Sequence, residues 1–214
     1  MGKQTSRELF MNLLKQKGIH QCEVLTAIRK INRAKFVNPQ DSVHAYEDRP
    51  LAIGCEQTIS QPYIVAKMTE LVLNGHNHLN NVLEIGTGSG YQAAVLSSLA
   101  KHVYSIERIE ILYQVAKKRL AIYKNIQLFL NDDIDCVNHY APFDGILVTA
   151  CCQQIAPAWL GALTGGGCLV LPMAVNFQQK LTRVIKIGDQ YLREFLDDVN
   201  FVPLKKGLLY SSHR

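Results

Sequence analysis

The stretch Val82-Leu83-Glu84-Ile85-Gly86-Thr87-Gly88-Ser89-Gly90-Tyr91 restricts the possible folds more than any other part of the chain. An apolar run meets an acid, a Gly-x-Gly-x-Gly turn follows, and a helical pattern continues over residues 92–100. A strand that enters a tight glycine turn and then a helix is the nucleotide-cradling unit of doubly wound α/β folds. Glycines let the backbone approach a ligand that a Cβ would hold off. The first turn of the helix leaves N–H groups free to meet it.

The third glycine decides which ligand is expected. A dinucleotide fingerprint, G-x-G-x-x-G/A, asks for a small residue at the place held here by Tyr91. A site for one adenosine without a pyrophosphate suits the turn better, and S-adenosylmethionine is such a ligand. Glycine turns also serve as plain strand–helix connections, so a second acid matters. Residues 102–106 read as the next strand, with Glu107 at its end. A carboxylate roughly 20 residues past such a turn accepts hydrogen bonds from ribose hydroxyls. Its charge also disfavours a 2′-phosphate, and so NADP. Taken alone, Glu107 is equally compatible with an exposed acid beside Arg108.

With 214 residues, 48% of them hydrophobic, the chain suits one α/β domain over residues 1–214. Residues 1–60 are expected to form a helical cap and a substrate loop, and residues 61–214 a cofactor-binding core. The net charge of +5 is mild and no basic block interleaves with aromatics, so nucleic acid is not the expected partner. No apolar run reaches 18 residues and no export-signal core opens the chain, so no membrane association is expected. Residues 1–6 fit an N-myristoylation pattern only formally. Cys22, Cys55, Cys136, Cys151, Cys152 and Cys168 form no C-x-x-C pair and no zinc spacing. Free thiols in a reducing cytoplasm, and no metal, are the expectation. Cys151 and Cys152 should lie at a strand end near the pocket as small buried hydrophobes.

Along the chain, Thr5-x-x-Glu8 reads as a capping box before an apolar stripe of Leu9, Phe10, Leu13 and Leu14, closed by Gly18. A second helix over residues 23–32 turns Val24, Ala27, Ile28 and Ile31 inward. Residues 36–60 read as irregular. Pro62 opens a helix that runs to about Leu73. Beyond the glycine turn come a helix over 109–123, a strand over 126–130, a strand over 143–149 and a helix over 155–163. Gly165-Gly166-Gly167 then turns into a strand over 168–172. Strands over 181–187 and 195–204, joined at Gly188-Asp189, must be antiparallel neighbours. The result is a doubly wound, mostly parallel sheet with antiparallel terminal strands and an N-terminal helical cap.

Gly54-Cys55-Glu56-Gln57-Thr58-Ile59-Ser60-Gln61-Pro62-Tyr63 gathers polar groups just ahead of a helix start, a place suited to an anion such as a carboxylate. Thr58 and Ser60 are equally compatible with turn residues that serve the backbone.

At this point the sequence resembles the protein-L-isoaspartate O-methyltransferases. Ala45 to Gly54 with Gln57-Thr58-Ile59-Ser60-Gln61-Pro62-Tyr63 is similar to the family's substrate loop, and Val82 to Tyr91 to its cofactor turn. Ala141 to Ala150, Gly166-Gly167-Cys168-Leu169-Val170-Leu171-Pro172 and Phe201-Val202-Pro203-Leu204 match further signatures in order. The resemblance implies a monomeric cytoplasmic repair enzyme. It would use S-adenosyl-L-methionine to methylate the α-carboxylate of L-isoaspartyl residues in damaged proteins and peptides. It implies Ser60 as the active-site hydroxyl. Gln57, Thr58 and Ile59 would flank both ligands. Glu84, Gly86, Thr87 and Gly88 would shape the cofactor turn. Glu107, beside Arg108, would take the ribose, and Asp132 and Asp133 the adenine end.

Three departures bear on function. Glu56 stands where the family usually has Gly, Ala174 stands where a glycine is common, and Asn131-Asp132-Asp133-Ile134-Asp135-Cys136-Val137 lacks the glycines and aromatic of the usual segment. An inward Glu56 would repel a substrate carboxylate by roughly 3 kcal/mol at about 6 Å; an outward one would matter little. These changes keep an alternative open: a divergent protein of this fold that acts on another carboxylate or small molecule, or binds without turnover.

Overall fold

The computed structural model describes residues 6–210. The capping residue Thr5 and the myristoylation pattern lie outside the described residues. Helix α1 (Ser6–Gln16) and helix α2 (Cys22–Lys30) come first. Gly18, at φ +89°, ends α1 as expected. Phe10, Met11 and Leu14 of α1 are buried, but Leu9, expected inward, is 55% exposed. All four inward positions proposed for α2 are buried.

The span 36–60 is not irregular throughout. The 3-10 turns Arg33–Phe36 and Pro39–His44 enter it, and a two-stranded hairpin, β1 (Leu51–Gly54) and β2 (Gln57–Ile59), follows. Alternation is too short in three- and four-residue strands to be read from sequence. Helix α3 (Pro62–Leu73) then starts at its proline and ends at Asn74 in the left-handed region, φ +46°.

Next come β3 (Leu79–Ile85), α4 (Tyr91–Leu96), β4 (Ala100–Glu107), α5 (Glu110–Leu120), β5 (Ile126–Leu130), a 3-10 turn (Ile134–Tyr140) and β6 (Phe143–Val148). The order ends with α6 (Pro157–Gly161), β7 (Leu163–Val175), β8 (Gln178–Ile187) and β9 (Gln190–Asp198). The seven-stranded sheet runs β5-β4-β3-β6-β7-β8-β9. Its first five strands are parallel, and β8 and β9 are antiparallel additions. The helices lie in two apolar layers that enclose the sheet. One joins α1, α2, α3 and α4 to it, and the other includes Ile134, Val137 and Trp159.

Five elements differ in their bounds from the sequence expectation. Helix α4 stops at Leu96: the N–H groups of Ser98 and Leu99 fall back on Val95 and Leu96, three residues earlier, and the chain turns into β4 with Asn125 donating to the carbonyls of Ser97 and Ala100. Both α5 and α6 are shorter than their apolar patterns; Pro157 sets the start of α6. Gly165–167 is no turn before a strand but part of β7, which carries a register shift against β6. The last strand ends at Asp198 rather than Leu204. Residues 202–204 instead pair with Cys151, whose N–H donates to Val202 and whose carbonyl accepts from Leu204.

This order places the site. Chain progression reverses between β3 and β6, so a crevice opens beyond the carboxyl ends of those strands. The glycine turn sits there, between β3 and α4.

Candidate active site

The turn is shaped by backbone conformations that side chains disfavour. Gly86 lies at φ +97°, and a Cβ there would run into Thr149 Oγ1. Thr149 in turn donates to the Gly86 carbonyl at 2.6 Å. Gly90 lies at φ +88°, and its Cβ would press on Leu120 at 3.1 Å. The N–H groups of Gly86 and Thr87 both donate to Ile106, which ties the turn to β4. Tyr91, in the position that excluded a dinucleotide fingerprint, points into the helical layer. It is buried, edge-on to Phe36 at 5.6 Å.

Glu107 clasps this turn. One oxygen accepts from Gly88 N–H at 2.8 Å and the other from Ile109 N–H at 2.9 Å. Burial raises its pKa, while those backbone N–H groups and Arg108 oppose the rise. An ionised carboxylate has about four lone-pair positions, so each oxygen keeps room for a further donor.

Glu84 is fully buried one strand over. Ser105 donates to one of its oxygens, and the hydroxyls of Ser105 and Thr87 share a bond of 2.6 Å. Its other oxygen, Oε1, has no partner among the described residues. Burial first, and the charge of Glu107 in addition, push the Glu84 carboxyl up to about 8, against the partial relief from Ser105.

A crevice of about 950 Å³, open to solvent, is lined by β2 and Ser60, the glycine turn, Glu107 to Ile109, Asn131 and Asp132, Thr149 and Ala150, and residues 202–205. Gln57, Thr58, Ile59, Ser60, Glu84, Gly86, Thr87, Gly88, Glu107, Arg108 and Asp132 therefore converge on one place. Asp132 also accepts from Gly207 N–H at 2.7 Å, and Arg108 donates to the Gly207 carbonyl at 2.8 Å. Asp133 does not line the crevice; it caps the following 3-10 turn through Asp135 N–H. Among the lining residues that sequence reasoning did not single out are Leu112 and Lys205. Of the two, only Lys205 carried a signal, since it directly follows the Val202-Pro203-Leu204 signature.

Ser60 joins β2 to α3. Its carbonyl accepts from buried Arg33 at 2.8 Å, and its hydroxyl makes no hydrogen bond to the described residues. The hairpin covers the turn, with Ile53 Cδ1 3.5 Å from where a Gly88 Cβ would lie. Glu56 is exposed at the hairpin tip and does not line the crevice. Its charge stays in solvent, and its consequence is conformational: Cys55 and Glu56 sit at φ +52° and +58°. Of the cysteines, Cys152 is buried and Cys151 half-buried, and neither lines the crevice.

A glycine turn at the switch point of a parallel sheet, with acids ending the two adjacent strands, defines an α/β nucleoside-binding protein of the methyltransferase type. A family model, protein-L-isoaspartate(D-aspartate) O-methyltransferase, matches residues 4–209. The chain is 43% identical to the protein-L-isoaspartate O-methyltransferase of Ectopseudomonas mendocina, over 98% of this chain and 100% of that one. It is 46% identical to that of Dictyoglomus thermophilum, over 93% and 90%. Its fold matches a crystal structure of a putative protein-L-isoaspartate O-methyltransferase from Plasmodium falciparum in complex with S-adenosyl-L-homocysteine. That match has a TM-score of 0.83, covers 95% of this chain and 100% of the other, and has 21% identity. A further solved protein-L-isoaspartate O-methyltransferase gives 0.80 at 27% identity, over 95% and 67%. The chain belongs to the protein-L-isoaspartate O-methyltransferase family.

Proposed function

We propose that the crevice holds S-adenosyl-L-methionine beside an isoaspartyl carboxylate, and that Ser60 directs the transfer. The protein methylates the α-carboxylate of L-isoaspartyl residues in damaged proteins. The observation that carries the reading is the crevice itself. It is lined by a turn held so tightly against Thr149 that Gly86 has no room for a Cβ, and by Glu84, whose buried Oε1 has no hydrogen-bond partner among the described residues. Such an atom calls for a ligand that supplies the missing contact.

When bound, S-adenosyl-L-methionine supplies an electrophilic methyl on a cationic sulfur. Glu107 has lone pairs left for ribose hydroxyls, and Glu84 is placed to meet a cationic or hydrogen-bonding group of the same ligand. Asp132, with Asn131, borders the far part of the crevice. An isoaspartyl α-carboxyl should have a pKa of roughly 3.5, so it arrives ionised at neutral pH and needs no general base. What remains is orientation, which contributes up to roughly 7–11 kcal/mol in favourable cases. The free Ser60 hydroxyl donates to the substrate carboxylate and fixes its angle. Gln57, Thr58 and Ile59 present the β2 edge beside it. Lys205, exposed at the rim, attracts the anion over a distance limited by salt.

We read residues 1–214 as one unit. Residues 1–60 act as cap and substrate loop, and residues 61–214 as cofactor core. The shared apolar cluster from Phe10 through Leu181 supports this. We also read the protein as a cytoplasmic monomer that engages damaged proteins rather than nucleic acid or membrane. Its six free cysteines fit a reducing compartment, and no helix among the described residues is long and apolar enough to cross a membrane. The reading of a different substrate loses support, because neither Glu56 nor Asp133 faces the crevice.

Methyl transfer to an isoaspartyl peptide, followed with labelled donor, tests the assignment of Ser60. Ser60→Ala should lower kcat about tenfold to a thousandfold with donor affinity nearly unchanged. Unchanged kcat in a folded Ser60→Ala protein would remove Ser60 from the mechanism.

A further inference from the structure

We propose that Arg33, with Asp48 gripping from the other side, is a positioning residue for methyl transfer that acts by fixing the backbone at Ser60. The inference rests on the reading of Ser60 given above.

Arg33 lies in the turn after α2, far from the glycine turn in sequence, yet it is wholly buried. Its Nε donates to the Ala45 carbonyl and its Nη2 to the Ser60 carbonyl, both at 2.8 Å. The guanidinium also lies 4.8 Å from the ring centroid of Tyr91, the first residue of α4. One buried cation thus joins the loop before the hairpin, the residue after it, and the helix that leaves the cofactor turn.

A buried guanidinium is an expensive way to fill space. Desolvation lowers its pKa to about 10, which leaves it charged at neutral pH. No carboxylate forms an ion pair with it among the described residues, and its Nη1 has no partner there. An apolar side chain would fill the volume without these penalties. What it would lack is a rigid fork of donors aimed at two carbonyls.

The Ser60 carbonyl has few other choices. It sits between the end of β2 and Pro62, which has no N–H. The following residue is held from a second direction. Gln61 Nε2 donates to both the carbonyl and a carboxylate oxygen of Asp48 at 2.9 Å, and Tyr63 N–H donates to the other carboxylate oxygen at 2.9 Å. The backbone of residues 60–63 is pinned on two sides while the Ser60 hydroxyl stays free.

A double-mutant cycle on the full chain tests the proposal, with kcat on an isoaspartyl peptide and calorimetric binding of S-adenosyl-L-homocysteine as readouts. Arg33→Lys keeps the charge and loses the fork. It should lower kcat about ten- to a hundredfold, the scale expected for a misplaced reacting group. Product-analogue affinity should move by less than about threefold. Combined with Ser60→Ala, it should add no more than about a twofold loss, because the residue it positions is already gone. A double variant that loses the product of the two single factors overturns the proposal and leaves Ser60 in place. So does normal kcat in Arg33→Lys. A silent Ser60→Ala removes both readings together. If Arg33→Lys does not fold, Gln61→Ala releases the Asp48 grip from a half-buried side chain. The same absorption by Ser60→Ala is expected, and multiplicative losses overturn the proposal.

Discussion

Replacing Glu84 by glutamine should change how stability depends on pH. In the folded, ligand-free protein the Glu84 carboxyl is pushed from 4.5 up to about 8. Between those values the native state holds a proton that the unfolded chain releases. The raised pKa therefore contributes stability that is fully present below about pH 4.5 and is lost as pH rises through 8. Each unit is about 1.4 kcal/mol, so the loss across the window is on the order of 4–5 kcal/mol. Glutamine fits the same space, can accept from Ser105, and has no proton to lose. Urea unfolding of both proteins from pH 5 to 8.5 reads the difference directly. The wild-type advantage over Glu84→Gln should shrink with every step upward in pH and level off above 8. Parallel stability curves would refute the reasoning, because they would mean that Glu84 titrates alike in the folded and unfolded chains. Glu107, whose pKa burial also raises, slopes the same way in both proteins and largely cancels.

Three further outcomes follow from the geometry. Changing Cys55-Glu56 to Asn-Gly should raise stability by roughly 1 kcal/mol or more in a thermal melt, because two residues at φ +52° and +58° give way to ones that tolerate a left-handed turn. Gly86→Ala should weaken S-adenosyl-L-methionine binding at least about tenfold by calorimetry, since the new Cβ meets Thr149 and φ is +97°. Binding of S-adenosyl-L-methionine at pH 7 should release a proton from Glu84; the binding enthalpy should then vary with buffer ionisation heat in the wild type and not in Glu84→Gln.

Local signals in the sequence located what local forces determine. The glycine turn, the start of α3 at Pro62 and the bounds of β5 depend on neighbours along the chain, and they lie where the sequence puts them. The apolar pattern after the glycine turn runs on to residue 100, but the chain tightens after Leu96, and Asn125, 25 residues beyond, holds the exit by donating to the Ala100 carbonyl. Residues 199–204 look as apolar as β9, yet the chain leaves the sheet to pair with Cys151. Arg33 was invisible for the same reason. Its acceptors lie 12 and 27 residues away, and a basic residue at the end of a helix reads as solvent-facing. At the site, residue types and spacing located the glycine turn and Glu107, and the family resemblance added residues 57–60 and Asp132, all of which line the crevice. Asp133 was the exception, because an acid that caps a turn and an acid that meets a ligand look alike in one dimension.

The central claim is that this crevice methylates a carboxylate displaced by one carbon from its normal place in the backbone. Two peptides of identical composition, one with an isoaspartyl and one with an aspartyl linkage, test it under the same donor concentration. The isoaspartyl form should accept methyl groups at its α-carboxylate and the aspartyl form should stay at background. Equal labelling of both, or labelling of neither with S-adenosyl-L-methionine bound, would contradict the account.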